Sequence, residues 1–313
     1  MDDTALVIYY DNGNKPIFRT CFAESGIPCR SWLKNYTAFL VYSLCEKVNR
    51  IGLFFRNYIY AYPEDMEGLI ILFDTKLPEF YLRRILEKNP RAQIIVWYWN
   101  EVKSEKKLQN QDAFDIWSYS PADCREYGLI YNSQFYFDSV VKRYRDVREQ
   151  REMRGERSFI FMGREKGRSD QINAVAEAIK QCGWGCQIDY LSTCKNDRPH
   201  KSGNPYTKGF GYDTYVQKVM AYQGILDVAF KENSGLSLRT MESIFFHKKL
   251  ITNNSLVSTY DFYDENNIYI WGKSGMSLEE FLARPYRPVP DSICNQYLIT
   301  SWLARFKEYY GMK

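Results

Sequence analysis

The chain has 313 residues, enough for two domains, and its hydrophobic content of 45% supports sizeable cores, which excludes a disordered chain. Its 42 basic and 38 acidic residues leave a net charge of only +4, which argues against a nucleic-acid partner because duplex binding needs a concentrated basic stripe. Two histidines, and eight cysteines with no C-x2-C pair, argue against a metal site; Cys182-Gly-Trp-Gly-Cys186 reads as a helix end followed by a turn.

The stretch Met1-Asp2-Asp3 carries no basic and apolar leader, and no apolar run approaches the roughly 18 to 20 residues of a membrane span. Together with unpaired cysteines, these features predict a cytoplasmic protein. Aromatic content is high at 17%, which suits both core packing and amphipathic surfaces.

In chain order, Leu6 to Tyr10 is a short apolar strand that ends in the turn Asp11-Asn12-Gly13-Asn14. Trp32 to Val48 has helical periodicity. The wider segment Trp32 to Tyr62, aromatic and interleaved with Lys34, Lys47, Arg50 and Arg56, reads either as core of the first domain or as a face resting on an anionic membrane leaflet. Leu69 to Phe73 is a buried strand, and Leu77 to Lys88 an amphipathic helix stopped at Asn89-Pro90. Ile94 to Trp97 and Phe114 to Trp117 are further buried strands, the second running into the loop Ser118 to Pro121. From Arg148 to Arg157 the sequence is charged and loses apolar periodicity, which marks a domain boundary.

The second half repeats the pattern. Ser158 to Met162 is a strand ending in Gly163-Arg164-Glu165-Lys166-Gly167-Arg168, and Asp170 to Gln181 is a helix closed by Gly183. Then come strand Gln187 to Leu191, helix Tyr212 to Tyr222, strand Ile225 to Phe230, helix Leu238 to His247 and strand Lys249 to Thr252. Asp291 to Tyr309 is predicted as one amphipathic helix, with Tyr297, Leu298, Trp302, Leu303 and Phe306 on one side, packing back on the first domain. Continuous apolar strands alternating with amphipathic helices predict an α/β fold of two Rossmann-like, doubly wound domains facing a cleft. Their expected extents are residues 1–150 and 151–290, with 291–313 as the helix that crosses back.

Chemistry concentrates between Lys231 and Asn254. An apolar strand, the small turn Asn233-Ser234-Gly235 and a helix follow one another, the order that builds an anion cradle from a glycine and the open amides of a first helical turn. Arg239 stands in that turn, where a cation opposes the helix dipole and makes sense beside a bound anion. Glu242, one turn on, is placed to accept two hydrogen bonds from a ribose diol. An ordinary strand, turn and helix with a surface arginine is the competing reading. There is no G-x-G-x-x-G fingerprint, no G-x-S-x-G nucleophile turn and no D-x-D metal-nucleotide signature. Gly272-Lys273-Ser274 lacks the first glycine of a Walker loop.

On the segments FIFMGREKGRSDQI and SGLSLRTMESIFFHKKLITNN, the chain resembles the GT-B glycosyltransferases, in particular bacterial enzymes of lipopolysaccharide, capsule and other surface-glycan synthesis; FDIWSYSPADCREYGLIYNSQFYF adds to the likeness in the first half. The resemblance implies a metal-independent, cofactor-free transfer of a sugar from a UDP-, GDP- or dTDP-linked donor to a hydroxyl of a glycan or lipid-linked glycan, at the cytoplasmic face of the inner membrane. It implies that Gly163, Arg164, Lys166 and Arg168 line the donor pocket. Ser234, Gly235, Leu236, Ser237, Arg239 and Thr240 would hold the diphosphate, with Arg239 also stabilising the leaving group, and Glu242 would take the ribose. Ser234 stands where many retaining members carry the first glutamate of E-x7-E, so the stereochemical class stays open. If the reaction inverts, Asp11 is the carboxylate to deprotonate the acceptor. A nucleotide-sugar epimerase on the same plan, and a non-catalytic nucleotide- or glycan-binding protein, are the alternatives.

Overall fold

The computed structural model describes residues 4–9, 17–34, 37–38, 40–42, 59–73, 79–102, 113–152, 156–191, 206–207, 211–229 and 235–312. Backbone contacts divide the chain into two compact units, Met1–Ser133 with Thr300–Lys313, and Gln134–Ile299.

In the first unit, β1 (Ala5–Tyr9), β2 (Cys29–Ser31), β3 (Leu69–Phe73), β4 (Gln93–Tyr98), β5 (Asp115–Ser118) and β6 (Ile130–Tyr131) form a parallel sheet in the order β2-β1-β3-β4-β5-β6. Every residue of β1 and β3 is buried, which is why both read as unbroken apolar runs: a parallel sheet is covered on both faces. Around it lie α1 (Ile17–Glu24), α2 (Glu79–Lys88) and α3 (Pro121–Tyr127). Helix α2 buries Tyr81, Leu82 and Ile85, with Glu79 and Lys88 at the ends that suit its dipole. Buried Asn89 ends it, donating to the carbonyls of Ile85 at 2.8 Å and Pro63 at 2.9 Å before Pro90 forbids a further turn.

The loop expected from Ser118 to Pro121 leads at once into α3. Ser120 Oγ accepts from the Asp123 amide at 3.2 Å, a proline occupies the first turn, and Gly128 closes the helix at φ 66°. Trp32 differs from expectation too. Leu33 bridges Tyr60 in antiparallel fashion, and the first described helical residues are 37–38. Trp32 is fully buried, stacked on Tyr60 at 5.5 Å and edge-on to Tyr42 at 5.1 Å. Trp32, Leu33, Ala38, Ile59 and Tyr60 of this segment therefore belong to the core of the first unit, while Lys34 and Leu40 are exposed. Lys47, Arg50 and Arg56 lie outside the described residues.

The second unit opens with α4 (Asp138–Glu152), whose last turns overlap the charged stretch Arg148 to Arg157 expected to divide the domains; its buried Tyr144 stacks edge-on against Phe246, which ties it to this unit. Then follow β7 (Glu156–Gly163), α5 (Ser169–Gln181), β8 (Gly185–Leu191), β9 (Tyr206–Thr207), α6 (Tyr212–Met220), β10 (Tyr222–Asp227), α7 (Leu238–Phe245), β11 (Lys249–Thr252), β12 (Ile268–Ile270), α8 (Leu278–Ala283) and α9 (Asp291–Cys294). The strands are parallel in the order β12-β11-β10-β7-β8-β9. The chain winds outward from β7 in one direction and from β10 in the other, so the strand order reverses between them. This is the dinucleotide-binding winding. Helix α5 buries Ile172, Val175, Ala176 and Ile179, one face at helical spacing.

The C-terminal helix is broken where one helix was expected. α9 passes into a short 3-10 turn, Leu298 is extended (φ −71°, ψ 151°), and α10 (Ile299–Tyr309) follows. Leu298 pairs in parallel with Tyr136, and this bridge interrupts the helix. The apolar stripe is thereby split between two cores. Tyr297 packs edge-on against Phe262 at 5.2 Å in the second unit. Trp302 and Phe306 serve the first, with Trp302 5.4 Å from Trp97 and Phe306 4.7 Å from Trp117. Tyr310 OH accepts from Trp117 Nε1 at 3.1 Å and donates to Asp115 at 2.6 Å. No described helix is long and apolar enough to cross a membrane.

Trp302→Ala removes a fully buried ring and is expected to cost about 3–5 kcal/mol. Urea unfolding followed by tryptophan fluorescence checks it, and an unchanged midpoint would mean that α10 is not part of the first unit's core.

Candidate functional site

At the reversal between β7 and β10, successive connections leave for opposite faces of the sheet, and their carboxyl ends are where the named site residues gather. The organising group is Asp227, the last residue of β10 and only 3% exposed. A buried carboxylate is costly unless it is paired and fully hydrogen-bonded. Its partners all come from the start of α7: Arg239 Nη1 at 3.3 Å, Thr240 Oγ1 at 3.2 Å and the hydroxyl of Ser237. Ser237 is also the N-cap, its Oγ accepting from the Thr240 amide at 3.1 Å.

Arg239 then reaches across to β7, donating to the Met162 carbonyl from Nη2 at 2.8 Å and from Nε at 3.3 Å. Its guanidinium lies 5.1 Å from the centroid of the Phe161 ring. This explains Gly163: a Cβ there would stand 2.2 Å from Arg239 Nη2. The anion expected beside Arg239, and the surface exposure of the competing reading, both take a different form here. The Arg239 side chain is 19% exposed, and the anion beside it is the chain's own Asp227. Burial depresses the guanidinium's proton affinity, but Asp227, with Tyr215 and Glu242, more than restores it and leaves it raised.

Arg168 donates to three backbone carbonyls: Glu165 at 3.1 Å, Arg164 at 2.6 Å and Val228. It thereby pins the loop after β7 to the chain just beyond β10. Its guanidinium is 5.7 Å from the same Phe161 ring. Unlike Arg239, it has a lowered pKa, first from burial and then from Arg239, a balance that Asp227 and Glu165 do not reverse. The loop turns tightly, with Lys166 (φ 50°) and Gly167 (φ 75°) both left-handed and the Arg168 amide bonded to the Glu165 carbonyl at 3.1 Å. A lysine in that region costs about 1 kcal/mol, strain of the kind that collects at functional loops. Arg164 and Lys166 are exposed on it, and Glu165 Oε1 accepts from the Ser169 amide at 3.1 Å at the start of α5.

Glu242 has a different setting from the one expected. It is fully buried. Tyr212 OH donates to one carboxylate oxygen at 2.8 Å and Tyr215 OH to the other at 2.5 Å, and Tyr136 OH lies 2.7 Å from Tyr212 OH. A hydroxyl has one proton, so with both phenols of α6 donating to Glu242, Tyr136 donates to Tyr212. The oxygens expected to receive a ribose diol are engaged by two phenols, whose hydroxyls need hydrogen-bond partners when buried. Burial lifts the Glu242 carboxyl from 4.5 to about 7, against the opposing pull of Tyr215, Tyr212 and Arg239 and with the help of Asp227.

The structure thus brings Gly163, Arg168, Ser237, Arg239 and Thr240 together around Asp227. Gly235 and Leu236 are buried in the approach to α7, their carbonyls accepting from Asn254 at 3.5 Å and Gln134 at 3.0 Å. Asp11 and Ser234 lie outside the described residues. Among these, no three His, Cys, Asp or Glu side chains cluster as metal ligands would. Sequence reasoning missed Asp227, Phe161, Tyr212 and Tyr215. Asp227 left a readable signal, an acid inside an apolar run that must be paired if the run is buried.

No protein-family profile and no curated protein matches the chain. Over 97% of its length, and 98% of the other chain, it is similar at 11% identity and a TM-score of 0.43 to a crystal structure of the DNA modifying enzyme beta-glucosyltransferase, solved in the presence and absence of its substrate uridine diphosphoglucose.

Arg239→Ala strands the Asp227 carboxylate and is expected to cost about 3–5 kcal/mol in denaturant unfolding; a cost near zero would show the pair to be solvated. Because the Glu242 pKa is raised in the folded state, the native protein binds more protons than the unfolded chain between pH 4.5 and about 7. The stability this confers is full below 4.5 and is lost as pH rises through about 7, on the order of 3 kcal/mol. Stability measured across that window should fall in the wild type and stay flat in Glu242→Gln; parallel curves would place the titration elsewhere.

Proposed function

We propose that the second unit binds a nucleoside diphosphate sugar at the β7/β10 reversal and that the protein is a glycosyltransferase. The observation that carries this reading is the unbalanced charge there. Two guanidiniums share one aromatic ring; Arg239 is bonded to the buried Asp227 carboxylate, while Arg168 is bonded to backbone carbonyls and is left under-compensated beside it. Exposed Arg164 and Lys166 add positive charge at the same strand end. An anion bound there completes the balance, and the dipole and open amides at the start of α7 favour the same ligand.

In this reading Arg164 and Lys166 meet the phosphates directly, with Ser234, Gly235 and Ser237 contributing from the loop before α7. Arg239, Arg168 and Thr240 fix the loop and supply field. Preorganised donors aimed at a leaving diphosphate provide the electrostatic stabilisation that transfer needs. The sequence carries no D-x-D signature, so the charge is assigned to these groups and not to a metal. Asp11 is the assigned base if the reaction inverts. The acceptor is a hydroxyl of a surface glycan, free or lipid-linked, reached at the cytoplasmic face of the membrane; the sequence resemblance supports this choice. The engagement of Glu242 by phenols favours ribose recognition by other groups.

Thermal unfolding with UDP, GDP and dTDP tests the donor assignment, since a ligand that binds only the folded state raises the midpoint. One of them is expected to raise it, and Arg164→Ala with Lys166→Ala is expected to weaken that binding about tenfold while leaving the ligand-free midpoint in place, as for exposed cations. No shift with any nucleotide would overturn the reading. Binding without release of nucleoside diphosphate on addition of glycan would reduce it to a binding protein.

A further inference from the structure

The chain passes between the two units twice, after Ser133 and after Ile299. Just inside the second unit these two passages are bonded to each other. The Tyr136 amide donates to the Tyr297 carbonyl at 2.7 Å, the Ile299 amide donates to the Tyr136 carbonyl at 2.8 Å, and Tyr136 and Leu298 pair in parallel. The same short segment lies along α7. Gln134 Nε2 donates to the Leu236 carbonyl at 3.0 Å, ahead of the helix, while its Oε1 accepts from the Phe135 amide at 3.1 Å. The Tyr136 ring stacks on Phe245 at 5.4 Å and stands edge-on to Phe246 at 5.7 Å, beside the last turn. Its hydroxyl joins Tyr212 and, through it, Glu242 in the middle of α7. Gln134, Phe135, Tyr136 and Phe137 are all buried, so these bonds are not exchanged for water without cost.

We infer that Gln134 and Tyr136 are positioning residues that couple the Gly235–Ser237 loop to the paired segments through which the chain enters and leaves the second unit; the inference rests on the reading of that loop as part of the donor site. The physical reason is contact at both ends of one short helix. A loop that shifts to meet a diphosphate carries the Leu236 carbonyl with it, and α7 cannot tilt without disturbing either the Tyr136 stack or the Tyr212–Glu242 bond. Coupling of this kind is reciprocal: holding the paired segments still also holds the loop.

Hydrogen exchange of the full chain, without ligand, tests the coupling. Ser237→Ala loosens the loop and is expected to speed exchange at the Tyr136 and Ile299 amides about tenfold while the Leu250 and Ile251 amides of β11 keep their rates. Adding Tyr136→Phe with Gln134→Met is expected to abolish the response of Ile299 to the loop substitution. Ser237→Gly, a milder loss of the cap, serves if Ser237→Ala does not fold. Unchanged exchange at Tyr136 and Ile299 would overturn the inference, as would an equal rise at β11, which signals global loosening. UDP at saturation supplies a second arm: it should slow Ile299 exchange in the wild type but not in the Tyr136→Phe, Gln134→Met variant. Failure of every nucleotide to bind would sink the donor assignment, and the ligand-free exchange would still decide the coupling.

Discussion

The ion pair between Asp227 and Arg239 is the constraint on which the second unit's functional end depends. A carboxylate buried at the end of a central strand must be answered, and the answer comes from the first turn of α7. Because Arg239 also caps the Met162 carbonyl, one side chain ties together both strands at which the sheet reverses and the helix that follows. Gly163 is bare because the guanidinium occupies the place of its Cβ. Ser237 serves helix and carboxylate at once. An arginine that opposes a helix dipole is thus stable for an internal reason, and the uncompensated positive charge resides in its neighbours.

Arg168 shows how that residue of charge arises. It satisfies backbone carbonyls, which are dipoles and not charges, so its three hydrogen bonds leave its charge only weakly met. With Arg239 nearby the two cations repel, and the Phe161 ring offsets this in part. Glu242 is the opposite case, a carboxylate met by neutral donors alone. Phenols hydrogen-bond a carboxylate well but do not cancel its charge, and burial then favours the protonated form. Two acids close together in the chain thereby acquire different chemistry from their partners.

Helix α7 links these groups to the path of the chain. Its first turn holds Asp227, its middle holds the phenol network, and its last turn receives Tyr136. The segment that carries the chain into this unit is consequently part of the same packed structure as the candidate site. The segment that carries it out is hydrogen-bonded to the first.

The sequence by itself determined the local grammar. An apolar run such as Leu69–Phe73, short and bounded by turn signals, read as a buried strand, Ser237 before an amphipathic run could cap a helix, and Gly163 with the turn at Lys166-Gly167 marked a tight loop after a strand. α3, where only a loop was expected, carries the same local signals in its Ser-Pro start and glycine end. These signals act within a few residues, where spacing and backbone chemistry suffice. Only the tertiary structure decided which groups meet across the chain. It set two different strand orders from similar alternations, broke the expected C-terminal helix at Leu298 by pairing it with Tyr136, gave Arg239 an internal anion, and surrounded Glu242 with phenols. The physical reason is that the charge state and exposure of a side chain depend on neighbours brought from distant elements, such as Met162 for Arg239 and Tyr136 for Tyr212, and no local pattern encodes those neighbours.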